Sequence, residues 1–559
     1  MSRRLLTLIL TIVTTVSNCY SQDLLSVNWQ KVVCSDSYID HAYSICNDNN
    51  GNTYTLGGFE NVANCLGENL NESSGHYFLT KQNSYGDKLF ATNLGGTDNY
   101  SNGDIEVCSN GDLVLGLCFK STFFLNGDSI TTSVTWSSII LKLDQNFNLK
   151  WFKTFPAKNA TYINRLFLDS DENIYASILF LDSLSINGLI YSQPKGYGTA
   201  IAKLSSGGGI LWTHHYYSDY ILTNQVLQIG ESCNSCPSTL FISGSVSGDS
   251  IFIDGILQAQ HKSKFNSQFF IATLNEYGDI LQTKFLDEGI RSIADINFYQ
   301  NRIFFAGAYI DTVNWNGTYV TPLDYSSIYI GELSEQADLI GFADIKSSKT
   351  FYLTGFKISP QYGFLLSGCF DGSFSLQSSS ITLEGQYDRG SFIASINDTL
   401  NLNDCKYIKG GSYNLRHLSI FNNQITGTAI FEQTCNFQNQ SCFAWNDDIS
   451  TFQTTDIKQL SAFNPNPFPT TKIPIPFSVQ VYPNPFGSSF QMKFSEPIYS
   501  TSLTMTNAIG QICKNIVVFQ INDTEVTIDA TGLSAGIYIV QYLTCNNYMA
   551  TYKLIKVDE

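Results

Sequence analysis

The sequence predicts an all-β protein, a seven-bladed β-propeller followed by a small Ig-like β-sandwich, and three observations lead there. Its 559 residues are 43% hydrophobic and 14% aromatic but only 14% charged, against a usual charged share of about 25%, so the chain can bury a large core and is not disordered. Apolar and polar residues alternate with period two between Asn, Asp and Gly turns, and no segment carries convincing helical periodicity. Finally, one apolar strand returns roughly every 60 to 70 residues, at 139–143, 200–204, 270–274, 329–333 and 392–396, centred on Ile140, Ile201, Ile271, Ile330 and Ile393, with a weaker copy at 77–81.

At the N-terminus, Arg3 and Arg4 precede an apolar run over 5–16, and Cys19 and Ser21 put small residues at the −3 and −1 positions before Gln22. This is the pattern of an export signal over 1–21. The run is shorter than the ~20 residues a spanning helix needs, and no later uninterrupted apolar stretch reaches that length, so no membrane span is expected. A formal charge of −17, from 31 Lys+Arg and 48 Asp+Glu, repels phosphate backbones and excludes nucleic acid as a partner. Exported cysteines that lie close together oxidise. The expected bonds are Cys108 with Cys118, Cys435 with Cys442 and, in the tail, Cys513 with Cys545. Cys233 and Cys236 form a CxxC in a hairpin-loop context, with no second CxxC to complete a zinc site.

Each recurring strand is followed by a turn and a second strand, as at 207–209 and 210–212, and then by a third and a fourth, as at 105–107 and 113–115 or 296–298 and 303–305. Four short strands per repeat make a propeller blade. The chain opens with a lone second-type strand at 25–33, containing Trp29, and the repeats end with a lone first-type strand at 442–445, containing Trp445. Pairing these two completes one blade from both ends and hides their edges, which with six whole periods gives seven blades over 22–453. The repeats resemble the bacterial β-propeller repeat family, whose units read F-[VI]-A-K-L-x-x-x-G-x-x-x-W and then A-V-D-x-x-G-N-x-Y-V-x-G. The resemblance covers about 24–450; it is close at Asp48, Gly51, Tyr54 and Gly57 and degenerate over 346–368.

Prolines crowd from Pro465 to Pro485, which reads as a stiff linker over 454–478. Residues 479–559 show short strands with turn spacing, as a small Ig-like sandwich would. Four motif blocks lie in order here: Tyr482-Pro483-Asn484-Pro485-Phe486; Asn507 with Gly510 and Gln511; Leu533, Gly536 and Tyr538; and the terminal Lys553 and Lys556. They resemble the type IX (Por) secretion system C-terminal sorting domain. That resemblance implies a Bacteroidetes-type bacterium, outer-membrane passage with the type IX translocon and its sorting machinery as partners, and release or attachment to surface lipopolysaccharide. The other reading of this region is an Ig-like module that binds carbohydrate or protein.

Chemistry is sparse. No HExxH and no GxSxG occurs. Residues 47–52 and 169–173 resemble calcium loops, but the closing Glu is missing and the same Asn, Asp and Gly residues suit tight hairpin turns. No catalytic residue, metal ligand or cofactor is assigned. The binding candidates are His214, His215, Tyr216, Tyr217 and Tyr220, at a junction of repeats expected on the face where loops gather around the central channel. Aromatic rings there would stack on sugars, and His and Asp would bond hydroxyls; the plainer reading is an outer strand running into a surface loop. Three classes follow: a non-catalytic exported binding protein for an extracellular glycan or protein, a glycan- or peptide-active hydrolase using the channel, and a structural envelope or gliding-associated component. A buried carboxylate pair with raised pKa in the channel would favour the hydrolase, and an exposed aromatic platform would favour binding.

Overall fold

The computed structural model describes residues 24–34, 41–71, 76–96, 102–218, 225–231, 240–246, most of 250–465 and most of 479–557. Every regular element among them is a β-strand. The chain divides into two bodies, 1–470 and 471–559.

The first body repeats one design: four antiparallel strands paired in chain order. The first module is His41–Asn47, Thr53–Gly58, Tyr77–Gln82 and Lys88–Leu94; the second is Asp104–Val107, Leu113–Leu125, Asp128–Leu143 and Leu149–Ala157. The third is Thr161–Leu168, Ile174–Ile186, Leu189–Leu204 and Ile210–Ser218; the fourth is Gln225–Glu231, Leu240–Val246, Gln268–Leu274 and Ile280–Phe285. The fifth is Ile290–Tyr299, Arg302–Tyr309, Ser327–Leu333 and Leu339–Asp344. In the last two modules the long strand Leu402–Phe421 serves twice. Its first half closes the sixth, behind Ser347–Ser359, Gly363–Leu376 and Arg389–Ile396, and its second half opens the seventh, before Gln424–Asn436 and Asp448–Thr454. The degenerate stretch at 346–368 thus forms ordinary strands. The first strands of the seven modules contact one another in succession, and that of the seventh contacts that of the first. Ile140, Ile201, Ile271, Ile330 and Ile393 all sit on third strands and are buried in the cores between modules.

Two local devices recur. A five-residue turn joins third to fourth strand at 83–87, 144–148, 205–209, 275–279 and 397–401; the first residue's N–H donates to the fifth residue's carbonyl, and the fourth's N–H donates to the first's. At four of the five an Asn or Asp leads (Asn83, Asp144, Asn275, Asn397), and its side-chain oxygen accepts the third and fifth N–H groups, which is why those residue types recur. The preceding module then seals the turn. Trp151 donates its indole N–H to the Ser206 carbonyl at 3.1 Å and Trp212 to that of Glu276 at 3.1 Å, while Phe90 stacks on Phe147 with centroids 3.7 Å apart. The second device is the Asp-Asn-Tyr turn before each matching second strand. Asp48 accepts from Asn50 N, Asn52 N, Asn52 Nδ2 and Tyr54 Oη, with Lys81 Nζ 3.9 Å away; Asp169 repeats this with Asp171, Asn173 and Tyr175, with Lys203 Nζ at 3.3 Å. The two loops with calcium-like spacing are therefore hairpin turns in which a lysine supplies the positive charge.

The termini meet, but not where the sequence placed them. Trp29–Cys34 pairs with Asp448–Thr454, Trp29 opposite Gln453. Residues 441–443 form only a short hairpin strand on Gln424–Asn436, and Trp445 lies outside the described residues. The difference arises because 448–454 is the run whose apolar residues Ile449 and Phe452 face the cores. Trp29 then donates its indole N–H to Ser84 O of the first module at 3.0 Å. The expected linker also starts packed. Asp456 accepts the Ser26 N–H, Lys458 N donates to Asp404, Leu460 N donates to Gln361 O, Tyr299 donates to Phe463 O, and Arg302 donates to Pro465 O, with Ile457 and Phe463 buried.

The cysteine expectations change too. Cys108 and Cys118 are free thiols. Cys108 lies in the turn after Asp104–Val107 and Cys118 midway along Leu113–Leu125, and their side chains enter different cores, Cys108 with Val114 and Ile140 and Cys118 with Tyr54 and Leu79. Cys513 is free as well, and Cys545 lies outside the described residues. Cys435 and Cys442 stand opposite each other in backbone register, but their side chains lie outside the described set. Cys65, unassigned from sequence, is disulfide-bonded.

Two outcomes test this packing. A Cβ at Gly208, which has φ +85°, would lie 2.8 Å from Trp151, whereas one at Gly127, with φ +89°, meets nothing within 4 Å. Both alanine variants carry the backbone cost of roughly 1 kcal/mol, so Gly208→Ala should lose about 1–2 kcal/mol more than Gly127→Ala in urea unfolding. A chain ended after Pro465 should unfold with the stability of the longer one, whereas ending it after Thr454 removes two buried apolar side chains and should cost about 3–6 kcal/mol.

Candidate functional site

The segment from His214 to Tyr217 lies on the fourth strand of the third module. That strand is the last of its module in pairing order, on the far side of the sheet from the first strands, which is the place of the plainer reading, an outer strand running into a loop. Tyr220 lies outside the described residues. Strand alternation splits the rest. Trp212, His214 and Tyr216 face the fourth module: His214 and Trp212 press on Gly278, and Tyr216 is buried with Leu240 and Phe270. Thr213, His215 and Tyr217 face the other way and line an open cleft of about 600 Å³ with Ile190, Tyr191, Ser192 and Asp254.

Two hairpins complete that cleft. Ile190 to Ser192 come from the turn side of the third module's central hairpin, where Asn187 and Gly188 both have positive φ, the geometry of a type I′ turn. Asp254 comes from a hairpin, Ser250–Ile253 with Ile256–Gln260, inserted in the fourth module and paired onto Tyr216–Ser218. A run of rings spans the cleft. Tyr191 and His215 have centroids 5.4 Å apart, His215 and Tyr217 stack at 4.8 Å and 27°, and Tyr217 and Phe252 stack at 5.2 Å and 12°. Tyr191 Oη and Thr213 Oγ1 are hydrogen-bonded. Asp254 holds the inserted hairpin to the strand: Oδ2 accepts from His214 Nδ1 at 2.5 Å and Oδ1 from His215 N at 2.8 Å. Burial pushes the Asp254 carboxyl up, but these bonds and the two imidazoles outweigh it and hold it below its ordinary value. The preceding module has the same clasp, Lys153 Nζ to Asn187 Oδ1 at 2.9 Å. His214 therefore packs on the fourth module and fixes Asp254, while His215, Tyr217 and Asp254 line the cleft. Burial lowers the His215 imidazole to about 4, with Asp254 opposing, so it lines the cleft as a neutral ring.

Sequence reading missed Asp254, Tyr191 and Phe252, which come from hairpins distant in the chain. The Asn187-Gly188 and Asp254-Gly255 pairs were the available signal, because such dipeptides mark two-residue hairpin turns.

In the second body, Val479–Tyr482, Ser489–Phe494, Glu525–Asp529 and Val517–Asn522 pair as one sheet, and Ser502–Asn507, Gly536–Leu543 and Met549–Lys556 as another. Both contribute to a core of Phe486, Phe490, Met492, Met505, Ile528, Tyr538, Val540 and Leu554. The motif blocks hold this body together. Asn484 Oδ1 accepts from Ile555 N at 2.9 Å, Phe486 N donates to Ile555 O and Val557 N to Phe486 O, and Lys556 bonds Gly487 O. Gln511 N donates to Asn507 Oδ1 and Tyr538 Oη to Ser534 O. Tyr482 donates to Glu525, and Leu533 packs on the core. Pro483 and Pro485 are exposed between them, and Gly536 stands opposite Lys556 in register. Gly510 and the Lys553 side chain lie outside the described set.

A family model described as a secretion system C-terminal sorting domain matches residues 480–557. The chain is thus exported through the type IX secretion system to the cell surface or extracellular space, which implies interaction with that machinery. No curated protein matches the chain. Among solved structures it is similar to the extracellular domain of a one-component system from B. thetaiotaomicron, at 8% identity and a TM-score of 0.15 over 93% of this chain and 87% of that one. It is also similar to a GH43_12 retrieved from capybara gut metagenome, at 10% identity and a TM-score of 0.23 over 78% and 96%. Likenesses this loose carry neither fold nor activity across.

Acid should loosen the rim. An unfolded His215 titrates near 6.5 and the folded one near 4, so between those values the unfolded chain binds the extra proton and stability falls as pH falls. Unfolding midpoints measured from pH 7 to 4.5 should drop more steeply in the native chain than in His215→Phe; equal slopes would remove this role from His215.

Proposed function

We propose that the chain is a seven-bladed β-propeller exported to act outside the cell as a non-catalytic binding protein, and that the cleft at the rim of the third module takes a glycan. Seven four-stranded modules with first strands in cyclic contact support the propeller reading. The sandwich of the second body serves as its address. The observation that carries the binding reading is the continuous run from Tyr191 through His215 and Tyr217 to Phe252 beside one partly exposed carboxylate. A sugar presents an apolar C–H face and polar edges. Rings of this kind cover the face, and Asp254, Thr213 and Ser192 meet hydroxyls.

One observation favours the second reading, a hydrolase working in the middle of the ring. Asp104 and Glu106 share the second module's first strand, and burial, with the Asp104 charge adding, pushes the Glu106 carboxyl up to about 7, as a general acid requires.

Glycan-array binding and a hydrolysis screen on the same protein separate the two. Tyr217→Ala should weaken glycan binding about fivefold to tenfold, the worth of one stacking ring, with no product released by either protein. Product that disappears in Glu106→Gln but not in Tyr217→Ala would establish the hydrolase instead.

A further inference from the structure

We propose that the middle of the ring holds a second ligand site, where Arg165 and Glu106 on neighbouring first strands take a neutral polyhydroxylated ligand, a sugar ring, by two adjacent hydroxyl groups. It rests neither on the rim cleft nor on any bond being broken.

Four of the seven first strands bring charge to this place: Asp104 and Glu106 from the second module, Arg165 from the third, Asp295 from the fifth and Lys357 from the sixth. Arg165 stands beside Asp104 on the neighbouring first strand and Lys357 beside Asp295 on another neighbouring pair, the first strands contact one another in succession, and Glu106, two residues along from Asp104 on the same strand, feels the charge of all four other groups. Most of them are already engaged. Lys357 Nζ donates to Asp295 Oδ2 at 3.0 Å, and Ile296 N donates to Asp295 Oδ1 at 2.8 Å. Asp104 Oδ2 accepts from Leu166 N at 2.7 Å and Oδ1 from Ile105 N at 3.0 Å. Arg165 Nε lies 3.8 Å from Asp104 Oδ2, a charge contact beyond hydrogen-bond reach. Among the described residues, then, neither the Arg165 guanidinium nor the Glu106 carboxyl makes a hydrogen bond, although a guanidinium carries five N–H donors and its side chain is only 27% exposed. Two strongly polar groups on neighbouring first strands, partly desolvated and making no hydrogen bond to the protein among the described residues, can serve together as a recognition pair.

Charge selects the ligand. With a proton on Glu106, which burial favours near neutral pH, the five groups sum to zero. An anion would meet Asp104 and Asp295, both pinned by backbone N–H groups; an amine would meet Arg165 and Lys357. A hydroxyl is donor and acceptor at once. One hydroxyl oxygen accepts from Arg165 while its neighbour donates to Glu106, and a vicinal diol on a sugar ring offers that pair.

The test titrates the full mature chain with a panel of neutral pentose and hexose oligosaccharides by ligand-observed NMR, with inorganic phosphate and a hexuronate oligomer as charged controls. At least one neutral oligosaccharide should bind, with an affinity that Tyr217→Ala leaves within about twofold and Arg165→Met lowers about tenfold or more. Arg165→Lys keeps the charge opposite Asp104, and so the fold, but loses the fork of donors; it should show the same loss. Glu106→Gln keeps a donor and an acceptor and should stay within about threefold. The proposal is overturned if Arg165→Lys binds like the native chain, if only phosphate or hexuronate binds, or if natively folded protein binds none of the panel. Binding lost in Tyr217→Ala alone would leave the rim cleft standing and the central site refuted.

Discussion

Everything in the first body depends on one pairing, that of Trp29–Cys34 with Asp448–Thr454. It joins distant groups, such as Gln30 and Ser450, 420 residues apart and hydrogen-bonded, and closing a loop of that length costs about 5 kcal/mol of chain entropy. The strand offsets this by burying Trp29 and Val33 and by giving the seventh module its fourth strand. Trp29 then reaches over the boundary to Ser84 and the turn at Gly86, repeating between seventh and first modules what Trp151 and Trp212 do elsewhere. The joint between the seventh and first modules is thus built like the others.

The same inter-module contact explains why polar groups divide by position. At the rim, a fourth-strand side chain meets a turn of the next module, and the contact can be Lys153 with Asn187 or His214 with Asp254; the latter opens a cleft because the inserted hairpin stands beside it. Between third strands and turns, charges are consumed in pairs such as Lys203 with Asp169, since a buried charge without a partner is costly. On the first strands the satisfaction is less complete: Arg165 has a charge contact to Asp104 but, like Glu106, makes no hydrogen bond among the described residues, and departures of this kind belong to function more often than to folding.

The second body solves a different problem. Its first and last motif blocks, about 70 residues apart, bond each other through Asn484, Phe486, Ile555 and Lys556. The motif is therefore a set of fold determinants as much as a recognition surface, and the address is complete only when the last strand has been added.

Much of this was legible in the sequence because it is local. The five-residue turns follow from Asn or Asp at the first position of four of them and Gly at the fourth position of three, Phe147 and Leu400 taking positive φ in the other two, and the third strands from their alternating Ile, Ala and Leu; the sorting blocks are contiguous. The segment at His214 and His215 was legible as residues but not as a place, since alternation on the strand, which turns His215 and Tyr217 toward one side and His214 and Tyr216 toward the other, has meaning only once the neighbouring modules are present. Cys108 and Cys118 looked like a pair by spacing and are not, because their side chains enter different cores. The true closing strand, the packed stretch to Pro465, the contribution of Asp254 and the convergence of Asp104, Glu106, Arg165, Asp295 and Lys357 were decided by tertiary structure alone. Each depends on which distant strands become neighbours, and a ring of repeats makes neighbours of residues whose separation along the chain carries no trace of it.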